Sequence, residues 1–537
     1  MRLRRLLRPR LDAPLPNWTI FPVIFVALYI SHFSLLRLPY YWDEAGYYIP
    51  AAWDFFRTGS LIPTTTLSNS HPPLASIYLA LWWKLSGFSP EMTREAVLMA
   101  ASLGLLAVWR LAMRLMGVTS VAFWTVVLTA LYPIWFAQSS MAHADIFAAA
   151  CTLWGLVYAL PERDRKPVTA ALWFAAAALS KETAIAIPLT LAAMTLVDGF
   201  RTRGLARTRL WRETAWLSAS VLPLIGWYAW HYAKTGNLFG NPEYLHYNAV
   251  ATLSPLRILV AFGHRILDLT AHMNLFVPVL MGFAALLLPP LPDAEGRERA
   301  ALGLPVRLRI FVLLLVNALM FSVLGGALLN RYLLPMYPLI LLLAVSVFYR
   351  RVPYWHGLAL FSAAAFLVGL FINPPYGFAP EDNLAYARVV RMQLAGIAQL
   401  KKRYPDATVL TAWPMTDELT RPELGYLKQP FQVCAIDDFT AAEIARAAAE
   451  PEKYSAALVF STKYEPPPGL FNLGRIGESM DERYFGLHHD LSPAIIAQRL
   501  GGKLVWRRDE DGMWIALIHF NHQVEARLES GAGQRVR

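Results

Sequence analysis

Two cysteines in 537 residues, Cys151 in an apolar segment and Cys434 far downstream, exclude a disulfide framework and a cysteine-built metal cluster, and leave the redox compartment unread. Charge is sparse as well. Asp, Glu, Lys and Arg make up 16% of the chain against 56% hydrophobic residues, and the mean hydropathy is +0.37. Such a chain is too apolar for one soluble domain and long enough for many membrane spans. The net charge of +11 does not point to nucleic acid, because the arginines lie between apolar segments, where they mark topology. Beyond residue 380 there is no glycine-rich phosphate loop, zinc-ligand spacing or Ser-His-Asp signature. Neither inverted repeats nor matching broken helices are visible, which weighs against a transporter or lipid-linked sugar flippase, the alternative that many spans would otherwise suit.

What is present is a series of apolar runs separated by basic loops. Five arginines precede the run from about Trp18 to Leu36, and no small-x-small cleavage site ends it. It is expected to stay as a first span with its N-terminus in the cytoplasm. Further spans are expected near 95–116, 119–138, 145–160, 168–180, 183–199, 213–232, 275–292, 308–328, 334–349 and 355–373, eleven in all. Several fall short of the ~20 residues a perpendicular helix needs.

The segment His71 to Phe88 decides the topology. If it crossed, the arginine-rich loop 201–212 would face outward, against the positive-inside rule. Drawn as a juxtamembrane helix entered through His71-Pro72-Pro73, it leaves every strongly basic loop cytoplasmic. Residues 37–93 then form one large first outer loop, joined on that side by 233–274 and everything after about 374. The expected architecture is a polytopic α-helical membrane domain over 1–379, a soluble outer-face (periplasmic) α/β domain over 380–528 and a disordered tail over 529–537. In the second domain, Tyr386, Val390, Leu394 and Ile397 mark a helix face. Strands are expected at 407–411, 431–436, 455–461, 503–507 and 513–520, with a helix over Ala441–Glu450. The segment Trp413-Pro-Met-Thr-Asp417-Glu418 reads as a binding loop or, more simply, as a helix N-cap.

The first outer loop holds Tyr-Tyr-Trp-Asp43-Glu44-Ala-Gly-Tyr-Tyr, an adjacent carboxylate pair among aromatics. A carboxylate beside a bilayer is expensive unless it faces water or a partner, so the pair reads as a working site, against the bland reading of an interfacial anchor. The outer side also receives Asp145, the cations Arg57, Lys181 and Arg331, and His71 and His143. Each has a plain alternative: a helix cap for Asp145, a satisfied interfacial histidine for His143, surface anchors for Arg57 and Arg331. Together they suit a reaction on a polyprenyl-phosphate sugar. Cations stabilise the charge that grows on a leaving phosphate, a carboxylate accepts the proton of an incoming hydroxyl, and Trp and Tyr faces stack on sugar rings. Asp43 and Glu44 could hold a divalent ion, but with no fixed further ligand no metal or other cofactor is expected to be required.

Five features occur in order: Trp42-Asp43-Glu44, then His71-Pro72-Pro73-Leu74, Asp145 opening a helix, Ser180-Lys181 at a short hairpin, and Arg331-Tyr-Leu-Leu-Pro. In these the chain resembles the GT-C glycosyltransferases over roughly residues 15 to 375, within the branch that holds protein O-mannosyltransferases and lipid A aminoarabinose transferases (glycosyltransferase 39-like). The resemblance implies an inverting transfer of a monosaccharide from a polyprenyl-phosphate donor to a lipid, glycan or protein acceptor, on the outer face of the cell inner membrane. It implies Asp43 as base, Asp145 positioning donor or acceptor, and Lys181 and Arg331 beside the lipid phosphate. On the residues themselves, Glu44 orients the base or binds a cation, and His71, His143 and Arg57 are further candidates for the phosphate. The chain departs from the family twice. Ser70-His71 stands where the aminoarabinose transferases have Glu-Lys, and Ser140 stands where the mannosyltransferases carry an Arg five residues before the aspartate of the fourth span. Another cation, His143 or Lys181, would have to compensate. A non-catalytic assembly factor is a third reading, which transfer activity in a purified sample would remove.

Overall fold

The structure is a computed structural model, and it describes residues 17–68, 70–162, 164–240, 246, 252–466, 474–486 and 488–520. The expected disordered tail and the N-terminal arginines lie outside the described residues. The chain forms two compact units. One comprises Met1–Ser34, Ser68–Leu79 and Arg94–Leu370, the other Leu35–Leu67, Ala80–Thr93 and Phe371–Arg537.

The first unit is mainly helical, with an antiparallel bridge between Pro292 and Glu298. Its helices Pro133–Gln138, Pro167–Ser180, Leu222–Thr235, Pro255–Thr270, Leu304–Val323 and Tyr337–Arg351 each carry a proline in the first turn, where the missing N–H has no intrahelical partner to lose. The same residue breaks two expected spans. The run 119–138 is two helices, Thr119–Leu131 and Pro133–Gln138, and 213–232 falls across Leu205–Ala219 and Leu222–Thr235. Among the described residues, Pro90–Met116, Glu182–Arg201 and Leu304–Val323 are long and apolar enough to cross a membrane, and Pro255–Asn274 with Phe276–Leu286 forms a pair bent by 99°. On Leu304–Val323 the side chains Leu304, Leu308, Phe311, Leu315 and Leu319 are exposed, while Val306, Ile310, Leu313 and Phe321 are buried. This helix is apolar on both faces, one packed inward and one open.

Close packing in this unit depends on small residues. Ala144–Ala159 runs against Pro167–Ser180, and a Cβ on Gly155 would stand 2.5 Å from Cε1 of Phe174.

The segment His71–Phe88 yields the helix Leu74–Ser86 of 13 residues. At about 1.5 Å per residue it is roughly 20 Å long, short of the ~30 Å hydrocarbon core.

The second unit is built on a five-stranded sheet in the order β2-β1-β3-β5-β4, with β1 Thr408–Ala412, β2 Gln432–Ile436, β3 Ala456–Phe460, β4 Lys503–Glu510 and β5 Met513–His519. β1 is parallel to β2 and β3, and β5 is antiparallel to β3 and β4. All five expected strands are present, as are the helices Ala385–Arg403 and Ala441–Ala448. Much of the first loop is part of the same unit. Tyr426 donates to the Tyr40 carbonyl at 2.9 Å, Arg421 Nη2 donates to the Thr65 carbonyl at 2.7 Å, and the Tyr40 and Thr93 hydroxyls meet at 2.7 Å. Trp53, Trp83 and Phe88 close an aromatic cluster, with Phe88 at 4.3 and 4.7 Å from the two indoles.

Candidate functional site

Asp145 occupies the first turn of Ala144–Ala159, beside the positive end of that helix. Its Oδ1 accepts from Lys181 Nζ at 2.5 Å, and its Oδ2 lies 3.4 Å from Arg331 Nε. All three side chains are buried. Lys181 reaches this point because Pro167–Ser180 stops one residue earlier. Lys181 itself is extended (φ −149°, ψ 124°), and a single 3-10 turn, Glu182–Ile185, follows it. Within that turn Glu182 Oε2 pairs with His71 Nδ1 at 3.2 Å, which ties the His-Pro-Pro segment to the lysine's own loop.

Arg331 lies in the 3-10 turn Asn330–Leu333. Two arginines from one face of Pro255–Thr270 hold the chain leading into it. Arg257 Nη2 donates to the carbonyls of Gly325 (2.9 Å) and Gly326 (3.1 Å), and Arg265 Nη1 to Leu329 O and Asp268 Oδ2, both at 3.1 Å. Three cations surround the Tyr332 ring: Lys181 Nζ at 3.9 Å, and the Arg331 and Arg265 guanidinium carbons at 5.8 and 6.0 Å from its centroid.

His143 precedes Asp145 as the N-cap, with Nδ1 2.9 Å from Gln138 Oε1. Burial, then the neighbouring cations Arg331, Lys181 and Arg94, hold its imidazole well below the ordinary value. It is therefore a neutral hydrogen-bonding group. The cation beside Ser140 is instead Arg94, wholly buried, whose Nη1 donates to the Ser140 carbonyl at 2.5 Å. Arg94, Lys181, Arg265 and Arg331 gather in this region with Asp145, Asp268 and Glu182. A cleft opens here, lined by Asp145, Ala148, Thr152, Lys181, Asn317 and Phe321 among others.

Asp43, Glu44 and Arg57 belong to the other unit. The two carboxylates part company. Glu44 is fully buried and its Oε2 accepts from the Tyr41 N–H at 2.9 Å, a bond that fastens the chain entering the helical turn Glu44–Tyr48. Asp43, the residue before that turn, is half-buried. Arg57 is exposed, with its guanidinium 6.0 Å from the centroid of Trp53. Among the described residues no group of three or more His, Cys, Asp or Glu side chains could hold a metal ion.

Sequence reasoning missed Arg94, Arg265 and Tyr332. A signal existed for the first: Arg94 shares a helix face with Val97 and Ala101, both buried, so an arginine stands where an apolar residue belongs.

Residues 70–228 match the family described as dolichyl-phosphate-mannose-protein mannosyltransferase. No curated protein matches the chain. Among solved structures it is similar to ArnT from Cupriavidus metallidurans in the apo state, with a TM-score of 0.51 and 16% identity over 94% of this chain and 98% of that one. It is equally similar to the same enzyme bound to undecaprenyl phosphate, with a TM-score of 0.52 and 15% identity over the same shares. An oligosaccharyltransferase from Archaeoglobus fulgidus, in complex with Zn and sulfate, is more distant, at a TM-score of 0.43 and 13% identity over 83% of this chain and 68% of that one. The resemblance to GT-C glycosyltransferases is therefore borne out: the chain has the fold of ArnT, and its stretch from Ser70 to Tyr228 carries the mannosyltransferase sequence pattern.

Proposed function

We propose that the protein transfers a monosaccharide from a polyprenyl-phosphate donor to a hydroxyl acceptor, with inversion, on the outer face of the cytoplasmic membrane. The observation that carries this reading is the convergence of two buried cations, Lys181 and Arg331, on Asp145 beside a cleft. Lys181 and Arg331 are the groups to neutralise the phosphate as its bond to the anomeric carbon breaks. A protein of the same fold binds undecaprenyl phosphate, the kind of anion this cluster suits. The mannosyltransferase match, which includes His71, Asp145 and Lys181, supports sugar transfer as the reaction.

Asp145 is engaged by two cations, which suits charge balance and positioning better than proton abstraction. Asp43, half-buried on the outer loop, is our base. It takes the acceptor proton while the acceptor oxygen attacks the anomeric carbon and polyprenyl phosphate departs. His71 positions the Lys181 turn through Glu182, and Glu44 holds the backbone that presents Asp43. The test is mass spectrometry of lipid, glycan and protein fractions from a deletion strain complemented with wild type or Asp43→Asn. A sugar-sized modification restored by wild type and not by Asp43→Asn supports the reading, provided that the variant reaches the membrane. No change in any fraction sinks it.

A further inference from the structure

A second feature of the Asp43 segment has no part in donor binding. Trp42, the residue before the proposed base, has φ +47°, a left-handed conformation that bulky side chains rarely adopt. Such outliers cluster at functional sites, where the surroundings hold them in place. Here the neighbour is Trp413, whose ring lies 5.2 Å from that of Trp42 at an interplanar angle of 76°. Trp413 follows the carboxyl end of β1, the position at which open parallel sheets present ligand-binding loops.

Both indoles are reachable from solvent. Trp42 is half-buried and Trp413 is 38% exposed. Their placement is nevertheless built. Gly46 admits the Trp413 ring, since a Cβ there would stand 2.6 Å from Cζ2. Asp417 Oδ2 accepts from Trp413 Nε1 at 3.2 Å, and Arg421 lies 3.3 Å from Asp417 Oδ1. The result is two part-exposed aromatic rings in edge-to-face contact, edged by a carboxylate and a guanidinium. Flat apolar faces with polar groups at the rim match the alternating C–H faces and hydroxyl edges of a pyranose.

We infer that Trp42 and Trp413 form a shelf that seats a sugar ring of the acceptor beside Asp43, so that the acceptor is a saccharide, as a glycan or a glycolipid headgroup. This rests on the transferase reading above and narrows it to one acceptor class. The shelf supplies stacking area, and Asp417 and Arg421 meet the ring hydroxyls.

The test starts from the fraction whose modification is lost in the deletion strain, used as acceptor with membranes containing each variant. Trp413→Leu keeps an apolar side chain over Gly46 and removes the ring face. It is expected to raise the acceptor concentration for half-maximal transfer about tenfold, to leave donor half-saturation unchanged, and to be largely rescued by Trp413→Phe. If Trp413→Leu does not fold, Trp42→Leu reports on the same shelf from its other wall. Wild-type acceptor dependence in the folded variants overturns the shelf and leaves the transferase reading standing. A modification found on a protein hydroxyl does the same. Absence of any transfer by the wild-type protein overturns the reading and the shelf with it.

Discussion

The Lys181 ammonium lies 2.5 Å from Oδ1 of Asp145, joining residues 36 positions apart, with both side chains almost wholly out of contact with water. Asp145 is the carboxylate that Lys181 and Arg331 share. Removing one member of a buried pair leaves the other charge uncompensated, at about 3–5 kcal/mol. Asp145→Ala is expected to destabilise the helical unit by that amount. Lys181→Ala should do so by clearly less, because Asp145 keeps Arg331. Denaturant unfolding in detergent ranks the two, and equal losses would contradict the shared-carboxylate geometry.

Arg331 and Lys181 differ in the kind of cation they offer. A guanidinium presents a planar fork to phosphate where an ammonium is a point charge. Arg331→Lys is therefore expected to weaken undecaprenyl phosphate binding about tenfold or more while leaving the unfolding midpoint near that of wild type. Calorimetric titration with undecaprenyl phosphate checks it. Undiminished affinity would remove Arg331 from donor binding.

Gly155 admits the Phe174 ring between two helices, and an added methyl would lie 2.5 Å from its edge. Gly155→Ala, ordinarily a gain for a helix interior, is expected here to cost about 1–3 kcal/mol through overpacking. The combination with Phe174→Leu should recover part of the loss, which a double-mutant cycle reads directly.

Glu418, in the sheet-bearing unit, is fully buried and hydrogen-bonded to Gln393 Nε2 at 3.1 Å. Burial lifts its carboxyl well above the ordinary 4.5. The folded state then holds the proton more tightly than the unfolded state. The stability this proton contributes is fully present below about pH 4.5 and is lost as pH rises through the raised folded value. Glu418→Gln should flatten that part of the profile and make this unit more stable at neutral pH. An unchanged slope in unfolding measured between pH 4 and pH 8 would contradict it.

The strands were legible because short runs such as Thr408–Ala412 and Ala456–Phe460 are rich in β-forming residues and bounded by turns. Asp145, Lys181 and Arg331 were legible because charge is costly in apolar surroundings. Less legible was whatever inverts the usual pattern. The segment 233–274 reads as an outer loop, yet Pro255–Thr270 is a helix whose buried face carries Arg257 and Arg265, and their partners are backbone carbonyls that no periodicity announces. Arg94 stands just before the span expected at 95–116, while the helix begins at Pro90. The fracture of two expected spans was written in Pro133 and Pro223, but hydropathy averaged over a window runs straight across them.

Tyr40 and Tyr426, joined by a hydrogen bond, are 386 residues apart. A ribosome reaches the second partner only after roughly four-fifths of the chain has been made, so the loop that presents Asp43 must wait, incomplete, through most of synthesis. Full assembly of that loop is thus coupled to completion of the chain. A product truncated before β1 would carry every residue of the Asp145 cluster and still lack the wall against which Asp43 is set.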